Sequence, residues 1–197
     1  LAHATRALRA LERELRRRER LASEHRVQST AQLDNPEPRL LVVIDEFHAL
    51  KDQLPHYMDR LVRIASLGRS LGMHLIACTQ NPLGQVNADM KANMSINICL
   101  RVRDALQSIE LLGDSRAASI SPSMPGAAYC NDASSIEAFR CAAPRNADAL
   151  CHHAALAARF AGIEQPAALF TEPLPDCVAD QHLEEMGHTI RFGMLDD

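Results

Sequence analysis

Leu40-Leu41-Val42-Val43-Ile44-Asp45-Glu46 is the stretch on which the reading of this chain turns. Its aliphatic run, rich in β-branched residues, has the continuity of a strand buried on both faces, as in parallel sheets. Two acids follow without a break. In an open α/β sheet, ligands bind beyond the carboxyl ends of the strands. A carboxylate emerging there is placed to meet one. Asp45 suits the hydration shell of a magnesium ion, which is hard and keeps its waters. Glu46, beside it, suits polarisation of a water that attacks a γ-phosphate. The competing reading is a buried strand that ends in two solvated acids. Acid pairs after strands also occur in α/β phosphatases and receiver-like domains, but those need a nucleophile or lysine in a matching loop, and no such motif is present.

Outward from this strand, helical and strand patterns alternate. Tyr57 to Leu71 has helical spacing through Met58, Leu61, Val62, Ile64, Ala65 and Leu67, with Gly72 punctuating its end. His74 to Cys78 reads as a second buried strand, Asn87 to Asn93 as a short helix, and Ser95 to Val102 as a third strand. Asp104 to Leu112 reads as a helix capped by Asp104 and closed by Gly113. After the turn at Pro125-Gly126, Ala127 to Cys130 and Ile136 to Arg140 read as paired strands. Such alternation predicts an α/β fold with a mostly parallel sheet flanked by helices. Leu41 to Ile44, Leu75 to Cys78 and Ile96 to Leu100 are expected as buried strands of one sheet, the first two parallel, with the final pair as an antiparallel edge.

Upstream, Ala2 to Arg26 is a predicted helix with a sparse apolar stripe of Leu8, Leu11, Leu15 and Leu21. Glu12 with Arg16 and Glu14 with Arg18 form i,i+4 pairs in the favourable order. Asn35-Pro36-Glu37-Pro38 breaks the chain before the decisive strand. Downstream, Ala147 to Ala161 is alanine-rich and helical, and Glu172-Pro173-Leu174-Pro175 has the composition of a linker. The expected division is a domain over 1–143, a helical, proline-containing linker over 144–187, and the start of a further domain over 188–197.

Composition is that of an ordinary water-soluble chain: 197 residues, 47% hydrophobic, 23% charged, net charge -4. No apolar run is long enough to span a bilayer. The opening residues, LAHATRALRALERELRRRER, lack the apolar centre of a signal peptide. The chain starts inside a helical pattern and is expected to be an excised fragment. Six cysteines, none in a C-x-x-C pair, fit free thiols in a reducing compartment. Cys78 and Cys99 lie in apolar runs and are expected to pack as small hydrophobes. Cys151-His152-His153 has no second Cys/His cluster to complete a zinc tetrahedron, and a helix surface is the better reading.

An ordered set of motifs runs along the middle of the chain. Asp45-Glu46-Phe47 is followed by Arg69-Ser70-Leu71-Gly72-Met73-His74, Thr79-Gln80, Lys91-Ala92-Asn93 and Pro125-Gly126. In content and order this set resembles the motor core of the FtsK/SpoIIIE P-loop ATPases, over about Leu40 to Cys141. The resemblance implies a partial RecA-like domain in which Asp45-Glu46 is the Walker B pair. It makes Asp45 the ligand of Mg2+ through water and Glu46 the catalytic residue. Asp45, Glu46 and Gln80 become nucleotide-binding residues, with Gln80 a sensor of the γ-phosphate. ATP and Mg2+ are the implied cofactors. Two departures stand out. The family often continues T-Q-R-P where this chain has Thr79-Gln80-Asn81-Pro82, and no G-x-x-x-x-G-K-[S/T] loop occurs anywhere. That loop cradles the phosphates, so this chain alone is expected to bind ATP poorly or not at all.

Motors of this kind assemble as homo-oligomeric rings in which an arginine completes the neighbouring subunit's site. Arg16, Arg17, Arg18 and Arg69 are the candidates, each with a solvated helix face as its simpler explanation. Within the family, the wording SLGMHL and SMPGAAY is closer to the EccC/EssC branch, which powers type VII protein secretion. The tail His188 to Asp197 (HTIRFGMLDD) resembles the entry strand of a following ATPase domain, with Met194 in place of the usual Leu. The implied function is an ATP-hydrolysing ring motor at the cytoplasmic face of the plasma membrane, acting on a secreted protein substrate. The alternatives are a DNA translocase, which the acidic net charge does not favour, and a degenerate regulatory ATPase domain.

Overall fold

In the computed structural model, residues 2–84, 88–143, 145–163, 168–170, 185–186 and 189–190 are described. They divide between two compact units. One gathers Leu1–Glu37, Ser70–Gly72 and Ala167–Asp197; the other comprises Pro38–Arg69 and Met73–Pro166.

The first unit is organised on helix α1 (Ala2–Glu24). Leu8, Leu11 and Leu15 are buried as the apolar stripe requires, joined by Ala10 and Ala22. Arg26 follows in a left-handed conformation (φ 54°) and ends the helical path. The next turn is fixed by a capping box. The Ser29 hydroxyl accepts from the Ala31 N–H, and the Gln32 side chain accepts from the Ser29 N–H.

The second unit carries the decisive strand. β1 (Leu40–Ile44) pairs in parallel with β2 (Met73–Ala77), Leu40 opposite Met73 and Ile44 opposite Ala77. Between them lie α2 (Phe47–Gln53) and α3 (Met58–Leu67), the right length for a parallel crossover. Helix α3 is shorter than its apolar spacing predicts. It stops at Leu67 because Gly68 donates the last helical hydrogen bond, to Ile64 O at 2.8 Å, and is packed against backbone. The predicted burial of β1 on both faces is not observed. Val42 is 9% exposed, whereas Leu41 and Val43 are 57% and 59% exposed. Ile76, paired with Val43, is exposed on that same face, which the described residues leave uncovered.

The third predicted strand takes a different place from the one expected. β3 (Asn97–Leu100) does not join β1 and β2 but pairs antiparallel with β4 (Ala127–Asn131), which pairs antiparallel with β5 (Ile136–Arg140). Burial alternates along β3 accordingly. Cys99 is buried while Ile98 and Leu100 are exposed, the signature of a strand with one covered face. That covered face packs Cys99 against Leu112 and Ala117, with Val102, Leu111, Ile120, Tyr129 and Ile136 around them. Burial pushes the Cys99 thiol up from its ordinary pKa. Cys78 departs from expectation: it is an exposed thiol just beyond β2.

Between these strands, α4 (Ala88–Asn93) and α5 (Ala105–Leu112) form. Asp104 caps α5 by accepting from the Leu106 N–H at 2.8 Å, and Gly113 closes it in the left-handed region at φ 74°. Ser108 is wholly buried on this helix. Its hydroxyl donates to Asp114 O at 2.5 Å and accepts from the Ala117 N–H at 3.1 Å, tying helix to following turn. Ser108→Ala leaves the buried Ala117 N–H and the half-buried Asp114 carbonyl without this partner. Thermal unfolding of that variant is expected to show a loss of about 2 kcal/mol; an unchanged melting temperature contradicts this role. Helix α6 (Ala147–Phe160) is capped by Asn146 and has no buried residue. A short antiparallel pair, β6 (Glu185–Met186) with β7 (Thr189–Ile190), belongs to the first unit. The linker signal at Pro173 to Pro175 and the tail beyond Ile190 lie outside the described residues.

Candidate functional site

The parallel pairing of β1 and β2 brings their carboxyl ends side by side. Two hydrogen bonds extend the pairing past the strands. Cys78 N–H donates to Ile44 O at 2.8 Å, and Phe47 N–H donates to Cys78 O at 2.8 Å. Asp45 and Glu46 are held between these bonds as an exposed two-residue turn. Glu46 is left-handed (φ 53°, ψ 52°), a backbone state that costs a non-glycine residue about 1–2 kcal/mol. What enforces it is Phe47, the first residue of α2, whose ring is only 2% exposed. Burying that ring while the chain leaves β1 requires the reversal at Glu46. The Glu46 N–H bonds to Asp45 Oδ1 at 3.0 Å.

Gln80 reaches the same edge from β2. Its side-chain amide Nε2 donates to Glu46 Oε1. Thr79 shapes the turn: its hydroxyl donates to Asn81 O and accepts from the Asn81 N–H, both at 3.2 Å. Asn81 stands where a cation is common in the resembling family, and Pro82 beyond it is fully buried. Lys51, on α2, donates to Gly84 O at 3.2 Å and so ties the loop after Gln80 to that helix. The structure thus brings Asp45, Glu46 and Gln80 together at one end of a parallel strand pair. Sequence patterning had offered each of them, but not the hydrogen bond between Gln80 and Glu46, nor the reversed backbone. The only sequence sign of the reversal is an aromatic residue directly after two acids.

The arginine candidates fall in different settings. Arg16 is exposed and pairs with Glu12 at 2.5 Å. Arg17 is held by two carboxylates, Glu14 and Glu37, with contacts of 2.8–2.9 Å to each. Hydrogen bonding to Arg17 holds both carboxyls below their ordinary range. Arg18 differs from both. Its side chain is 5% exposed, its Nε bonds Glu14 at 2.6 Å, and its Nη1 donates to Leu71 O at 2.9 Å. Its guanidinium anchors the Ser70–Gly72 turn to α1 within the first unit. Arg69 is exposed in the turn after α3. Among the described residues no group of three or more His, Cys, Asp or Glu could hold a metal ion. Cys151, His152 and His153 are exposed on α6.

No protein-family model matches the chain. Among curated proteins it is 40% identical over 135 residues to the type VII secretion system protein EssC of Staphylococcus aureus strain NCTC 8325. That match covers 64% of this chain. It is 35% identical over 135 residues to the ESX secretion system protein EccC of Geobacillus thermodenitrificans. This chain is an EccC/EssC-like segment of the FtsK/SpoIIIE ATPases. It spans 9% of the length of either curated relative. Among solved structures, the cytoplasmic domain of the Thermomonospora curvata type VII secretion ATPase EccC is 30% identical, with a TM-score of 0.61 over 71% of this chain and 17% of that one. ATPases 2 and 3 of the same EccC, in complex with a signal sequence peptide, superpose with a TM-score of 0.66 over 88% of this chain and 33% of that one, at 18% identity. The fold is therefore a partial RecA-like α/β domain with a parallel strand pair.

Proposed function

We propose that Asp45, Glu46 and Gln80 form the hydrolytic edge of an ATP site in a motor that drives protein export by type VII secretion. One observation carries the chemical half of this reading: an acid pair at the carboxyl end of β1, with the Gln80 amide of the neighbouring strand on Glu46. Mg2+ fits the residues present, because it is usually held by one or two carboxylates with phosphate oxygens and water. Asp45 is the residue assigned to it. Bound there, the ion would neutralise charge on the β- and γ-phosphates. Glu46 is assigned to orient and deprotonate the attacking water, and Gln80 to stand beside it at the same edge.

The site lacks a phosphate-binding loop, since no G-x-x-x-x-G-K-[S/T] is present. The chain is therefore assigned to work within a longer polypeptide, as its 9% span of EssC supports. That parent would act as a ring at the cytoplasmic face of the plasma membrane, with Arg16, Arg17 or Arg69 reaching a neighbouring site. The structural job of Arg18 makes it the poorest of the four candidates. The export half of the reading is supported by identity to EssC and by the signal peptide bound in the related EccC structure.

The test is the ATPase rate of the parent protein with two additions. A secreted helical-hairpin substrate, or its C-terminal peptide, is expected to stimulate turnover, and duplex DNA is not. Stimulation by DNA alone, weakening steeply with salt as released counterions require, overturns export in favour of DNA translocation.

A further inference from the structure

Glu46 is exposed and stands on a reversed backbone, so its carboxylate needs something to aim it. Among the described residues the hydrogen-bond partner of that carboxylate is the Gln80 amide. Gln80 is itself set by the Thr79–Asn81 turn and by the ladder bond from Cys78 to Ile44. We propose that Gln80 is a positioning residue for Glu46: its amide N–H engages one carboxylate oxygen and leaves the other free for the water. This rests on the hydrolytic reading of Asp45 and Glu46. It goes beyond that reading by placing the main effect of Gln80 on the base rather than on nucleotide affinity.

The geometry supports the division of labour. A carboxylate has two oxygens and about four acceptor sites, so one engaged oxygen still leaves a base on the other. The amide has only N–H to offer at that contact and carries no charge. It therefore restricts the carboxylate without the attraction that an arginine or lysine would exert on it. An arginine following Gln80 would supply such a charge, and this chain has Asn81 there. Misplacing a reacting group by about 1 Å is enough to lose up to about 100-fold in rate.

Two measurements test this. In the 197-residue chain, the side-chain amide resonances of Gln80 are followed by NMR with and without Glu46→Ala. They are expected to shift markedly, while the amides of Gln28 and Gln107 stay in place. In the parent protein, Gln80→Leu is expected to lower kcat about 10- to 100-fold. Affinity for ATPγS should stay within about threefold, because an interaction with the base alone leaves ground-state binding intact. An unmoved Gln80 amide overturns the proposal through the contact itself. A loss of ATPγS affinity matching the loss of kcat overturns it by making Gln80 a phosphate ligand. Neither outcome depends on the hydrolytic reading, which fails separately if Glu46→Gln turns over normally.

Discussion

Glu46→Gln in the parent protein is expected to bind ATP as the unmodified protein does and to lose turnover by about 10²- to 10⁴-fold, the usual contribution of a general base. The amide keeps the size and the left-handed backbone of the residue but has no lone pair basic enough to take a proton from water. Because Glu46 N–H and Asp45 Oδ1 bond through the backbone, the substitution leaves Asp45 in place. Equilibrium binding of ATPγS and steady-state phosphate release together check it. Retained turnover removes the role assigned to Glu46; lost binding with lost turnover assigns it to the ground state.

The second large effect is on stability. Gly68 lies where α3 stops and the chain turns toward β2. A methyl group at this position would lie 2.3 Å from Ile64 O and 2.5 Å from Met73 O, both backbone atoms. Backbone cannot swing aside as a side chain can, so Gly68→Ala must separate α3 from the start of β2. A cost of about 3 kcal/mol is expected, the upper end for overpacking. For a chain of this size that lowers the melting temperature by about 6–12 °C. Gly72→Ala makes an informative comparison. There the nearest atom is the end of the Arg18 side chain, at 3.2 Å, and the penalty comes from a positive φ of 68°. Equal melting temperatures for Gly68→Ala and the unmodified chain, by circular dichroism, contradict the close approach.

The contrast between these glycines shows what a single sequence reveals. Gly72 is legible as a turn signal just before β2, although α3 has already stopped at Leu67. Gly68 is not, because its need arises from Met73 carbonyl oxygen arriving across a turn. The same distinction runs through the fold. Local signals read well: the Asp104 cap, the Gly113 stop and the β4–β5 hairpin all form as their residues predict. The parallel placement of β1 beside β2 was legible too, since an apolar strand, a helix and a second apolar strand leave few ways to connect. The sheet to which β3 belongs was not. Ile98, Cys99 and Leu100 look alike as a hydrophobic run, and only pairing with Ala128 to Asn131 decides which of them is covered.

The site divides in the same way. Asp45, Glu46 and Gln80 could be picked out because acids and an amide at strand ends suit phosphate chemistry, and the structure places them at one edge. Their mutual geometry was not, because it depends on the burial of Phe47 and on two ladder bonds beyond the strands. The arginines illustrate the reverse. The i,i+4 pairs of Arg16 with Glu12 and Arg18 with Glu14 form as their spacing predicts, but the Arg17 contact to Glu37 and the Arg18 contact to the Leu71 carbonyl cross distances in sequence that no spacing covers. Arg18 therefore ties α1 to the Ser70–Gly72 turn, a contact its spacing to Glu14 does not announce.

The carboxyl ends of β1 and β2 are proposed as the hydrolytic edge of an ATP site. A structure of the parent protein with ATPγS and Mg2+ tests it most directly. The thiophosphate end is expected beyond Ile44 and Ala77, with Asp45 in contact with the hydration shell of the metal and Glu46 within hydrogen-bond reach of a water in line with the γ-phosphorus. A triphosphate bound with its metal away from this edge, leaving Asp45 and Glu46 in open solvent, would contradict it.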